Sequence, residues 1–80
     1  IQLSPDYSIV EIAILPEWIN KTIRELNLRA THGVNVIAVD HAGEIEVSPS
    51  PDYLISPKDV LVVVGTNKAL QDLEEKCHGR

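Results

Sequence analysis

Eighty residues at a formal charge of −5 make one small acidic domain, without the basic surface that nucleic-acid or anionic-membrane binding requires. A single cysteine, Cys77, provides no disulfide framework and points to a reducing compartment. No apolar run approaches the ~20 residues of a membrane span, and the N-terminus has no signal-peptide pattern, so a soluble, cytoplasmic module is expected. A domain of this size buries only about 60% of its unfolded surface, which makes self-association a natural source of added stability. The start at Ile1, without a methionine, sets the expectation of residues 1–80 as a single domain excised from a longer chain.

In chain order, Ile1 to Asp6 reads as a polar lead-in broken by Pro5. Tyr7 to Leu15 is rich in β-branched residues, with Val10, Ile12 and Ile14 on one face and Glu11 on the other, a first strand. Pro16 stops it and suits the first turn of a helix. Ile19, Ile23 and Leu26 then follow i, i+4, i+7 spacing, which predicts an amphipathic helix with Asn20 as a cap for a restart. Asn27 is a second candidate cap, opening a short turn that Gly33 closes in a left-handed conformation.

Val34 to Val39 predicts a second strand, apolar except for Asn35. Asp40 to Gly43 reads as a hairpin connection with Gly43 at positive φ. Glu44 to Val47 alternates acid and aliphatic, a third strand with Ile45 and Val47 toward the core. Ser48 to Asp59 carries three prolines and predicts a loop from which Leu54 and Ile55 plug the core. Asp59 to Gly65 is an unbroken aliphatic run suited to a central strand covered on both faces. Thr66 or Asn67 caps a last helix with Ala69, Leu70, Leu73 and Cys77 as its apolar stripe and Glu74 and Glu75 outside. The order β-α-β-β-β-α implies an α+β sandwich, one sheet with packed helices. The tetrapeptide SPDY occurs at Ser4–Tyr7 and Ser50–Tyr53, which implies similar turn chemistry and not a repeat.

The stretch from Leu26 to Asp40 carries the functional interest. Between Asn20 and Asn35 lie Lys21, Arg24 and Arg29 against one acid, Glu25, a local +2; four bases against eleven acids make the remainder −7. A locally basic turn in an acidic domain suits an anionic ligand, while solvated helix charge is the plainer reading. Arg24 is set down as solvated. An asparagine at position 35 either pairs with backbone or faces a ligand. For His32 a helix C-terminal charge, a simple exposed residue and a ligand contact all stand open.

Catalysis is not expected, because three histidines, one cysteine and scattered acids show no H-E-x-x-H, C-x-x-C or G-x-S-x-G spacing. Cys77-His78 reads as a packed thiol beside a tail residue, and no histidine pair has metal-ligand spacing on one helix.

The strings NKTIRELNLRATHGVNVIAV and GEIEVSPSPDYLISPKDVLVVVGTNKALQDLE resemble the TrkA-C or RCK-C family, C-terminal regulatory domains of potassium-transport regulators. The family pattern runs through a "K-T-L-x-E-L" helix, "R-x-x-x-G-V-x-V-x-A-I", a hairpin, "P-x-P-x-x-x-L-x-x-G-D-x-L-x-V-V-G" and a closing helix, and spans Ile9 to Leu73 here. Lys58 departs from it, standing where the family commonly has glycine. The resemblance implies a symmetric homodimer and an upstream Rossmann-type domain, whose G-x-G-x-x-G turn is absent from this sequence. It implies no cofactor in this domain and a receptor for cyclic di-AMP on the two-fold axis between copies. The matching positions are Ile23, Asn27, Leu28, Arg29, Ala30, Thr31, His32, Asn35 and Pro51, with no metal.

Chemistry fits these roles: Arg29 offers a planar fork to phosphate, N–H groups after Asn27 add partial positive charge, and Ile23 and Leu28 cover a purine face. Asn35 reads an adenine edge. The implied setting is a gating ring on a membrane potassium-transport subunit, at the inner face of the membrane without insertion. The alternatives are a ligand-free assembly module, or the corresponding domain of a cation/proton antiporter sensing another small ligand.

Overall fold

The structure, a computed structural model, describes residues 1–78. Four strands form one antiparallel sheet in the order β1-β4-β2-β3, with β1 at Tyr7–Ala13, β2 at Val34–His41, β3 at Glu44–Val47 and β4 at Asp59–Thr66. The fold is the α+β arrangement that the sequence predicts, with the aliphatic β4 at the centre between β1 and β2.

Register sets the core. Ile12 and Val39 both sit opposite Leu61, and Val10 and Val36 both sit opposite Val63, which puts all six on one face. Trp18, Leu26, Leu28 and Ile55 close over that face together with Leu70 and Leu73 of helix α3 (Asn67–His78). Thr66 caps α3, its Oγ1 accepting the Ala69 N–H at 3.1 Å.

Two expectations about this sheet are overturned. β4 is not covered on both faces: Asp59, Leu61 and Val63 are buried, while Val60, Val62 and Val64 alternate with them half-buried. Ile45 and Val47 do not face the core either, at 57% and 72% exposed. They pair with Asp40 and Ala38, whose other neighbours are Val60 and Val62, so the register commits them to the uncovered face. The hairpin that fixes this register turns through Ala42 and Gly43, at φ 52° and 95°.

The predicted helix from Pro16 to Leu26 is broken. Pro16–Trp18 is a single 3-10 turn, Asn20 sits at φ 68°, and helix α1 spans only Ile23–Leu26. Thr22 replaces Asn20 as the cap, its Oγ1 accepting the Glu25 N–H (3.1 Å) while Glu25 Oε1 accepts the Thr22 N–H (2.8 Å). The break has a tertiary cause. Residues 20–24 lie alongside the proline-rich loop: Asn20 N–H donates to Ile55 O, Ile55 N–H to Lys21 O, Ile23 N–H to Tyr53 O and Arg24 N–H to Pro51 O, at 2.8–3.1 Å. Of the two predicted plugs only Ile55 is buried, at 1% exposed, whereas Leu54 is 55% exposed.

The two SPDY segments do share turn chemistry. Ser4 Oγ accepts the Asp6 N–H and Ser50 Oγ the Asp52 N–H, at 3.2 and 3.1 Å.

Candidate ligand-binding site

Asn27 divides two single-turn helices, α1 and α2 (Leu28–His32). It adopts φ 47°, ψ 48°, and its side chain makes no cap hydrogen bond, contrary to the capping role expected of it. Its backbone does the work instead: the N–H donates to Ile23 O, and the carbonyl accepts from the Ala30 and Thr31 N–H groups. Among the described residues its side-chain amide makes no hydrogen bond. Gly33, at φ 72°, ends α2 as expected and turns the chain into β2. Gly65 lets that corner close, since a Cβ there would meet Val34 Cγ1 at 3.0 Å and Gly33 O at 3.3 Å.

These turns bring Ile23, Asn27, Leu28, Arg29, Asn35 and Pro51 around one open cleft of about 380 Å³. Pro51 arrives there through its carbonyl bond to the Arg24 N–H. Three of the candidate residues are elsewhere. Thr31 and His32 line a different cleft of about 740 Å³ against α3, and Ala30 lines neither of the two. The Thr31 hydroxyl is already engaged with Asn27 O at 3.0 Å and His32 Nδ1 at 2.8 Å. His32 is half-buried with its ring edge-on to Trp18, and burial, with Lys76 nearby, lowers its pKa. Helix α2, one turn long, has too little backbone aligned to make a useful dipole at Asn27.

The small cleft is distinguished by charge. Arg24 and Arg29 both line it; Asp52, beside Pro51, pairs with Arg24 at 3.2 Å and leaves Arg29 without an ion pair among the described residues. The cleft against α3 sets Asp72 and Glu75 among its lysines, and a third of about 800 Å³ is lined by Glu44 and Glu46 beside His41. An anion is repelled from the third and meets compensated charge in the second. Arg24 is 66% exposed, as expected of a solvated side chain, and it meets the cleft through the loop that carries Pro51. Asn35 is exposed, with no side-chain hydrogen bond among the described residues, although Val34 and Val36 flank it in the strand.

A second polar centre went unread in the sequence. Asp59, 3% exposed, accepts the Tyr53 hydroxyl at 2.9 and 3.0 Å and the Ser56 N–H at 2.8 Å, and pairs with His41 Nδ1 at 2.7 Å. Burial alone would raise its pKa, but the Ser56 N–H, His41 and Tyr53 together hold it below the ordinary carboxylate value. Tyr53 moves the other way, pushed up to about 12 by burial and by its bond to Asp59. Ser56 Oγ approaches the same Nδ1 of His41, at 3.4 Å, so serine and aspartate compete for one nitrogen. A nucleophile relay needs them on opposite ring nitrogens, and the cluster is a clamp on the loop that carries Pro51. Among the described residues, no three His, Cys, Asp or Glu side chains are placed to hold a metal ion, and no helix is long and apolar enough to cross a membrane.

Comparison with known proteins adds what geometry alone cannot. The TrkA-C domain profile matches residues 8–78. Ktr system potassium uptake protein A of Bacillus subtilis (strain 168) is 38% identical over 76 residues, covering 95% of this chain and 34% of its own length. The chain thus spans about a third of the length of the two Ktr system relatives it matches. Among solved structures, the RCK C domain of the potassium transport protein KtrA in complex with cyclic di-AMP superposes with a TM-score of 0.80 at 30% identity, covering 88% of this chain and 82% of that one. An RCK C domain dimer of S. agalactiae BusR, also in complex with cyclic di-AMP, gives 0.71 at 25% identity, covering 90% and 88%. By profile, sequence and fold, the chain belongs to the TrkA-C (RCK-C) domain family.

Proposed function

We propose that this domain is the sensing and dimer-forming unit of a cytoplasmic regulator of potassium uptake, and that two copies bind one cyclic di-AMP across their two-fold axis. The role is binding, not catalysis. One observation carries the reading: six of the residues implied by the family resemblance meet in a single cleft with two arginines against one carboxylate, Asp52. At about 380 Å³ that cleft lies near the bottom of the ~300–1,000 Å³ that small-molecule sites occupy, which suits half of a cyclic dinucleotide. A second copy supplies the other half, because a two-fold ligand uses one set of residues twice. Ile23 and Leu28 cover the purine, Arg29 meets the phosphodiester, and the free amides of Asn27 and Asn35 offer paired donors and acceptors. Through an upstream domain such a dimer would bias a gating ring and its membrane partner between two states.

The test is calorimetric titration of the domain with cyclic di-AMP, alongside its mass by light scattering. Twice the chain mass and one ligand per two chains are expected. A folded monomer, or a dimer that ignores the ligand at millimolar concentration, overturns the reading and leaves an assembly module without this ligand.

A further inference from the structure

The cleft holds two guanidinium groups in different states. Arg29 has no ion pair among the described residues. Arg24 is engaged, its Nε and Nη2 donating at 3.3 and 3.2 Å to Oδ1 of Asp52, the residue next to Pro51 in the opposite wall. We infer that Asp52 is an internal competitor for the ligand, occupying Arg24 in the empty domain and releasing it to a phosphodiester oxygen when the cleft fills. This rests on the proposed cyclic di-AMP site and adds to it a second phosphate-binding arginine and a residue that weakens binding.

Three features of the pair suit exchange. Both N–H groups converge on one carboxylate oxygen, so Arg24 does not make the two-oxygen fork that gives arginine–carboxylate pairs their strength. Both side chains are mostly exposed, 66% and 75%, where water screens the attraction and competes for both partners. The backbone on either side is held independently of the pair: Arg24 N–H bonds Pro51 O, and Asp52 N–H bonds Ser50 Oγ. Separating the carboxylate from the guanidinium therefore leaves the cleft wall in place. A phosphodiester has two non-bridging oxygens and a fixed negative charge, so it offers Arg24 the fork that Asp52 does not.

The experiment is a cycle of Asp52→Asn, Arg24→Ala and the double variant, each titrated calorimetrically with cyclic di-AMP. Removing a competitor worth an exposed ion pair, once per copy of a dimer, should tighten binding about tenfold in Asp52→Asn. Arg24→Ala should weaken it by about the same factor, and the double variant should bind like Arg24→Ala. Asp52→Glu, which keeps the charge, should show no gain. The inference is overturned if Asp52→Asn binds no tighter than the parent. It is overturned equally if the gain survives in the double variant, which would make it a general field effect of one acid fewer. A parent chain that does not bind at all brings down the cyclic di-AMP reading itself, whereas a parent that binds while the cycle fails leaves that reading standing.

Discussion

Asp59 and Arg29 are both charged and lie at opposite ends of the same sheet, and their surroundings have little in common. Asp59 is 3% exposed and has three partners, which satisfy both carboxylate oxygens. Arg29 is exposed and has no ion pair among the described residues. The buried charge is committed to holding the loop of residues 48–58 against β4, and the cost of its desolvation is offset by three donors. The exposed charge is left available, beside an equally uncommitted Asn35 and Asn27. One region uses charge to fix shape and the other is the proposed ligand site, so mutation should separate the two by readout, stability for the first and affinity for the second.

The largest effect is expected at Arg29. A charge-assisted contact to phosphate is worth roughly 1.5–3 kcal/mol and the proposed dimer uses it twice, so Arg29→Ala should cost about 3–6 kcal/mol, two to four decades of cyclic di-AMP affinity. Melting temperature should hardly move, and Arg29→Lys should recover only part of the loss. Unchanged affinity in calorimetry would put the phosphate elsewhere. Asp59→Ala should do the reverse. It strands the Tyr53 hydroxyl and the Ser56 N–H in a buried site, at a cost of about 3 kcal/mol, or more than ~10 °C in a thermal melt of a domain this size.

Asn35 sharpens the comparison from the other side. Losing one amide per copy in Asn35→Ala should weaken cyclic di-AMP by about 1–3 kcal/mol with little change in melting, and Asn35→Asp should weaken it further by adding a charge beside a phosphodiester. Should both variants unfold the domain, Asn35 belongs with Asp59 as a structural group.

The smallest effect concerns pH. Tyr53 titrates at about 12 in the fold against 10.0 ordinarily, so its contribution is complete below pH 10 and is lost as pH rises from 10 toward 12. Asp59, with its pKa lowered, contributes fully above its ordinary value of 3.8 and loses that contribution as pH falls below it. Urea midpoints across both windows check the signs. Tyr53→Phe, expected to cost about 1 kcal/mol at neutral pH, should reduce the alkaline drop.

Much of the fold was legible because patterns of burial are local. The strand runs, the Gly33 turn and the α3 stripe all follow from alternation or helical spacing in contiguous residues, and β3 matches its predicted bounds. What was misread depends on partners distant in sequence. The i, i+4, i+7 spacing of Ile19, Ile23 and Leu26 predicts one helix, yet the loop at 51–55 claims the backbone of residues 20–24 as a pairing edge. Ile45 and Val47 alternate as core residues do, but only the register with β2 decides which face is covered. The site divides in the same way. Spacing and family pattern pointed to Arg29, Asn35 and Pro51, while Arg24 became visible only when the loop brought Asp52 and Pro51 beside it. The Asp59 clamp joins residues from β2, the loop and β4, and nothing in the separate stretches marks them as partners.

The seam between residues 20–24 and 51–55 also sets a clock. Helices of four and five residues cannot persist alone, so the cleft exists only while a chain closure of some 30 residues is in place. Besides its backbone bonds, that closure is held by buried Ile55 and by the Asp59 clamp on the loop. A ligand that touches Ile23 and Arg29 on one side and Pro51 on the other straddles this seam. A ligand bound there would lengthen the lifetime of the closed seam.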